Sequence, residues 1–578
     1  MTRPLTPANQ TLERKGWTWQ DSLLILAILC LILAIVQTAT KFSGDYNPNL
    51  KIETTLNVLP GYTAQTLLRM GSAYFLSLFF TLIYAYSAYR LAIAAKILIP
   101  LLDILQSIPV LSFLPGVVLA LVTLFPGQRI GVELAAILLI FTGMTWNMTF
   151  SFYQSLCGIP RELKEAARIY RLNAWQQFWT LELPAGAIGL VWNSVMSVAG
   201  GWFFLIAIES FTLGDKSFQL PGLGSYLGKA ANEGNFGAIA WGLAVLVSVI
   251  IAIDFLVWQP LIAWAEKFKF EMVEATNSPQ SPVLNFLRRS PTLRIISSRL
   301  KPIREIFNRA LTTTFAPVRP LSPSRERTKL LQWLDWLFVS GFTLIVLWGT
   351  WEAVLLLKNL SLNDWKQVIT GAILTALRVI CALFLSLLWT VPVGVAIGRN
   401  PRLAQILQPI VQIAASVPAT ALFPVLLLGL IQLGGGLQVG SIALMMLGTM
   451  WYVLFNVIAG AQAIPSELFE AARIYKLSPI ERWRNLILPG IFPYLITGVI
   501  TAVGGAWNAS IVSEYVQFKG QIIATPGLGE TISQATAANN SPLLLAATGV
   551  MSLLVVMTNR LVWRPLYRLA QEKYQLLV

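Results

Sequence analysis

The chain has 578 residues, 56% hydrophobic and only 12% charged, with a formal charge of +15. Apolar runs of about twenty residues recur from end to end, which argues against a soluble globular domain and marks a polytopic membrane protein. There is no His, and Cys30, Cys157 and Cys381 are far apart, so no zinc site or disulfide framework is expected, while Lys and Arg fall between apolar runs, where they set topology rather than bind nucleic acid.

In chain order, the arm 1–21 carries Arg3, Arg14 and Lys15 and leads into an apolar run with no small-residue cleavage site after it, read as a retained first helix. Apolar segments fall near 22–39, 71–98, 108–125, 130–151, 185–208 and 237–259, and again near 333–357, 369–397, 417–433, 438–460, 490–513 and 542–562. The expected fold is all-α, with about twelve transmembrane helices in two six-helix repeats of one orientation. The expected domains are 1–264 and 333–578, joined by a basic linker at 265–332. Loop charges (Arg90, Lys96, Arg161, Arg399, Arg473, Arg560 and others) put both termini on the cytoplasmic side of the plasma membrane.

Subtraction supports the repeat. Glu470 and Glu165, Trp451 and Trp146, Pro526 and Pro221, and Pro565 and Pro260 are each 305 apart; upstream, Arg399 and Arg90, Pro409 and Pro100, Pro418 and Pro109, and Pro424 and Pro115 are 309 apart. Two halves of like orientation imply a pseudo-two-fold axis along the membrane normal.

Two polar stretches stand out. IPRELKEAARIYRLNAWQQFWTLELP covers 159–184 and IPSELFEAARIYKLSPIERWRNLILP covers 464–489. Leu163, Ala166, Ala167 and Tyr170 follow helical spacing, as do Leu468, Ala471, Ala472 and Tyr475, and the Ala pair leaves a shallow place for another surface. Capping boxes at Asn173–Gln176 and Ser478–Glu481 open a second short helix in each copy. An interfacial helix resting on lipid explains one such stretch better than a repeated pair.

Glu165-Ala166-Ala167 with Pro184, and Glu470-Ala471-Ala472 with Pro489, resemble the cytoplasmic EAA loop of permease subunits of binding-protein-dependent ABC importers. The segment 391–424 and PGLG at 221–224 and 526–529 are similar to the nitrate/sulfonate/taurine branch. The resemblance implies a type I importer permease fold with both permease domains in one chain. It also implies coupling through Glu165, Ala166, Ala167, Arg168, Tyr170, Glu470, Ala471, Ala472, Arg473 and Tyr475 to two ABC ATPase subunits, and an extracytoplasmic solute-binding protein. ATP and Mg would be held by the ATPases, with no cofactor on this chain. The family usually has Gly where Arg171 and Lys476 stand, so the interhelix break is expected from Asn173 and Ser478 instead.

The path is expected between the fifth spans, at Asn193, Ser197, Trp202, Thr501, Trp507 and Asn508, with the pairs Gly200-Gly201 and Gly504-Gly505 allowing close packing. Glu209 and Glu514, equivalent by the offset, are expected at the outer face as anchors or partner contacts. Gly228-Lys229 lacks the remainder of a P-loop, and neither a catalytic residue nor a metal site is expected. The anticipated function is import of a small solute, an oxyanion or sulfonate by resemblance; the alternatives are an iron(III)-type permease, a secondary transporter of about twelve spans or a membrane scaffold.

Overall fold

The computed structural model describes residues 51–268, 281–289 and 340–573, apart from short breaks at 91, 211, 214–215, 342–343, 345–346, 433–435, 519–520 and 539. The expected span 22–39, most of the linker and the start of the span 333–357 lie outside them. Among the described residues, eight helices are long and apolar enough to cross a bilayer: Leu56–Arg90, Arg129–Cys157, Ala174–Glu209 and Phe236–Ala265, then Leu362–Arg399, Gly436–Ala463, Pro479–Ser513 and Ser541–Ala570. They fall four to each half, as the repeat requires.

The third apolar segment of each half, expected as a span near 108–125 and 417–433, is instead a short helix that follows a break. Ala92–Ser107 and Pro401–Ser416 stop before Pro109 and Pro418, and Leu114–Leu124 and Ala419–Gln432 follow. Proline supplies no N–H and pushes its predecessor out of helical geometry; Val417 is accordingly extended at ψ 119. The later helices, of 11 and 14 residues, reach only about 16 and 21 Å, short of the ~30 Å hydrocarbon core.

Two antiparallel hairpins qualify the all-α expectation. Thr212–Leu213 pairs with Lys216–Ser217, and Tyr515–Phe518 pairs with Gln521–Ala524 in the register Val516↔Ile523. Each follows the fifth span, and in the second the β-branched and aromatic residues Tyr515, Val516, Phe518, Ile522 and Ile523 suit extended backbone. Four π-helical turns also recur at equivalent places: Phe178–Glu182 and Trp483–Ile487 enter the fifth spans, and Asp254–Trp258 and Asn559–Trp563 lie near the ends of the sixth.

Within each half the long helices pack in one order. Leu59–Arg90 lies on Arg129–Cys157, which lies on Leu183–Glu209; Leu362–Arg399 lies on Met450–Ala463, which lies on Leu488–Ser513. Between halves the contacts are crossed. The fifth span of each half meets the break of the other, through Ala419–Gln432 on one side and Val110–Ser112 on the other. Each sixth span likewise meets the helix before the break, with Phe236–Ile253 on Pro401–Ser416 and Ser541–Thr558 on Ala92–Ser107. One apolar core runs through both halves.

Candidate functional site

In both EAA loops the first helix, Arg161–Ile169 or Ser466–Ile474, ends in the same way. Tyr170 N–H donates to Ala166 O, Arg171 N–H to Arg168 O and Leu172 N–H to Ala167 O, and Tyr475, Lys476 and Leu477 repeat the pattern. This Schellman closure requires a left-handed residue, usually Gly. Arg171 (φ 50) and Lys476 (φ 52) take that conformation, the only non-glycine residues with positive φ among those described. The break is therefore made at the missing glycines, contrary to the expectation that the caps alone would make it. The capping boxes are present as well, with Asn173 and Ser478 accepting from the backbone N–H of Gln176 and Glu481.

That turn also corrects the reading of the apolar face. Ala167 and Ala472 are buried, but Tyr170 and Tyr475 are each 79% exposed, next to Ile169 and Ile474 at 79% and 78%. The helix stops before the tyrosine, so helical spacing no longer decides where its side chain goes. Glu165, Arg168, Glu470 and Arg473 are exposed, while Ala166 and Ala471 are half-buried. Each loop thus presents an apolar Ile-Tyr tip beside a charged helix face.

The loops are tied to the second span differently. Arg90 pairs with the buried Glu182 at 3.0 Å, and Gln177 Nε2 donates to the same carboxylate at 3.1 Å. The equivalent of Glu182 is Ile487, also buried, and Arg399 instead stacks on Phe469, its Cζ 3.2 Å from the ring centroid.

At the opposite end the sequence reading missed the main feature. Arg69, fully buried in the long helix Leu59–Arg90, pairs with Glu133 at 2.5 Å and with Glu209 at 2.7 Å, and donates to Pro221 O at 2.9 Å. Thr66 Oγ1 donates to Glu209 and accepts from Leu223 N–H, while Gly224 N–H donates to Glu209 Oε2. The second half repeats the clamp: Arg378 pairs with Glu514 at 2.8 Å and donates to Pro526 O, and Thr375 and Gly529 N–H donate to Glu514. PGLG is thereby explained, because a Cβ at Gly222 or Gly527 would run into the Glu209 or Glu514 carboxylate.

Glu209 and Glu514, expected as outer-face anchors or partner contacts, are fully buried and serve as clamp residues. A carboxylate in an apolar surround holds its charge only when paired and hydrogen-bonded. The missed partners were findable, since Thr375 and Arg378 lie 309 after Thr66 and Arg69. Only the first clamp has a second carboxylate, Glu133, itself paired with Arg129; its equivalent is the exposed Gln438.

The expected path residues are only partly brought together. Asn508 reaches the seam, accepting from Val110 N–H at 2.9 Å, and Thr420 Oγ1 donates to Phe203 O, the position equivalent to Asn508, at 3.2 Å. Asn193 donates to Ser151 Oγ and Gly189 O within its own half, and Thr501 to Thr497 O in its own helix. Trp202, Trp507 and Ser197 are buried, and among the described residues Trp507 Nε1 and Ser197 Oγ have no hydrogen-bond partner. Of the small pairs, Gly201 meets Met144, and Gly505 lies where a Cβ would be 2.9 Å from Gly448 O.

Repeated long apolar helices, buried ion-pair clamps and paired polar loops define an all-α polytopic membrane protein built from two like halves. The family model described as "Binding-protein-dependent transport system inner membrane component" matches residues 75–259 and again 390–563. Together these cover more than half of the chain, which belongs to that family.

Among curated proteins, the chain is 29% identical over 177 residues to the taurine transport system permease protein TauC of Escherichia coli, covering 31% of this chain and 61% of that protein. It is 29% identical over 168 residues to the nitrate import permease protein NrtB of Leptolyngbya laminosa, covering 28% and 57%. It is also 31% identical over 123 residues to the bicarbonate transport system permease protein CmpB of Synechocystis sp., covering 21% and 42%. The matched stretches span less than two thirds of each relative.

Proposed function

We propose that this chain is the double permease of an ABC importer, forming a path for a small anionic solute between its halves. Its two EAA loops, on the cytoplasmic side, couple the path to two separate ATP-hydrolysing subunits, and an extracytoplasmic solute-binding protein delivers the solute. The observation that carries the reading is the pair of Ile-Tyr tips, matched in sequence and exposure on otherwise different halves. An exposed aromatic-aliphatic pair on a rigid, capped turn suits insertion into a partner's cleft. The solutes for which the relatives are named (taurine, nitrate, bicarbonate, sulfonates) favour an anion over iron(III).

In the proposed cycle, ATP-driven closure of the partner subunits draws the two loops together. The crossed packing then carries that motion to the seam, because each fifth span rests on the break in the opposite half. The test replaces both tips, Tyr170→Asp with Tyr475→Asp. These exposed residues leave folding and insertion intact, while association with the ATPase subunits and solute uptake are lost. Uptake by the isolated chain without any ATPase would sink the reading in favour of a secondary transporter.

A further inference from the structure

Near the loop end of the sixth span of the second half, Arg560, Arg564 and Arg568 line a pocket of about 580 Å³ together with Pro565 and, from the first half, Ile99 and Pro100. Spacing of four residues puts the three guanidinium groups along one helix face. The surrounding surface is apolar: Leu561 is 69% exposed, and Val562 and Leu569 are also exposed. The pocket therefore sits at the boundary between hydrocarbon and water, at a seam between the halves.

The cluster belongs to one seam only. The other seam is built from equivalent elements in the same orientation, yet Phe255, Gln259 and Ala263 stand where the three arginines are, and Gln408 where Ile99 is. That seam is bridged by Gln412 Nε2 donating to Asp254 Oδ1 at 3.3 Å. Among the described residues, Arg560 and Arg568 have no ion pair or hydrogen bond. The linker is an ill-suited occupant, because its Lys and Arg outnumber its acids.

We propose that this pocket binds the phosphate headgroup of an anionic phospholipid from the leaflet on the loop side. Arg560 and Arg568 would hold the phosphodiester, with Arg564 between them on the same helix face, and Ile99, Pro100 and the exposed Leu561 would face its glycerol and upper acyl chains. Guanidinium forks suit phosphate oxygens, and the apolar wall selects a lipid over a free anion. A lipid there would cement one seam and leave the other, already bridged within the protein, without one. The inference is independent of the transported solute and of the ATPase partners.

The test is native mass spectrometry of the full chain, titrated with phosphatidylglycerol and separately with phosphatidylcholine. Wild type is expected to retain one phosphatidylglycerol in preference to phosphatidylcholine. Arg560→Gln with Arg568→Gln should weaken that first binding step by roughly fivefold per arginine removed, and Arg560→Lys with Arg568→Lys should keep most of it. Equal retention by wild type and the Gln variant overturns the proposal. Displacement of the lipid by millimolar inorganic phosphate also overturns it, in favour of a free-phosphate site.

Discussion

Asn508, in the fifth span of the second half, accepts the backbone N–H of Val110, which follows Pro109 at the break in the first half, at 2.9 Å. This side chain closes an amide that the proline break has freed from helical pairing. The same side chain donates to Gly504 O at 3.1 Å within its own helix. A helix defect in one half is thus repaired by a residue of the other.

Replacing that group should loosen the seam. Asn508→Leu leaves the buried Val110 N–H unpaired, a loss of about 1–3 kcal/mol. Thr501→Val, which breaks only a bond within one helix, should cost less. Thermal unfolding of the two variants in the same detergent checks the order.

The clamps should respond unequally. Arg69→Met leaves Glu133 and Glu209 without a cation they share in a fully buried place, costing on the order of 3–5 kcal/mol. Arg378→Met removes a partner from one carboxylate, and its own side chain is 11% exposed, so a smaller loss is expected. The yield of folded protein from membranes and its melting temperature would reveal the difference; equal losses would contradict the asymmetry.

The loop anchors invite an exchange. Arg90→Leu strands the buried Glu182 with only Gln177, costing on the order of 3 kcal/mol. Adding Glu182→Ile, which copies Ile487, should restore most of that loss because no buried charge is then left. Hydrogen exchange over 174–190 measures both variants, and a double variant as damaged as the single one would refute the account.

The left-handed turns carry a local cost. Arg171→Gly and Lys476→Gly place the residue with least penalty at φ near 50 and should stabilise each loop by about 1 kcal/mol. Val at either site, being β-branched, should destabilise it. Amide protection of Leu172 and Leu477, whose N–H groups close the motif, is the readout.

What the sequence determined was the repetitive and local part of the molecule. Apolar run length sets which segments can cross a bilayer, and a constant offset sets the repeat, so the all-α two-half architecture and the paired loops were legible from residues alone. Capping boxes were legible too, because they depend on residues three positions apart. The left-handed turns were not, since Arg and Lys there hide a conformation that glycine would have advertised.

Only the tertiary structure decided which polar groups meet. Arg69 and Glu209 are 140 positions apart, and the register of three helices brings them together; the acids consequently became clamp residues instead of surface contacts. The tertiary structure also showed that a break precedes the third apolar helix of each half and leaves it too short to span. A broken helix and a continuous one can share the same hydropathy, and the break persists where another chain segment supplies the lost hydrogen bond, as Asn508 does for Val110.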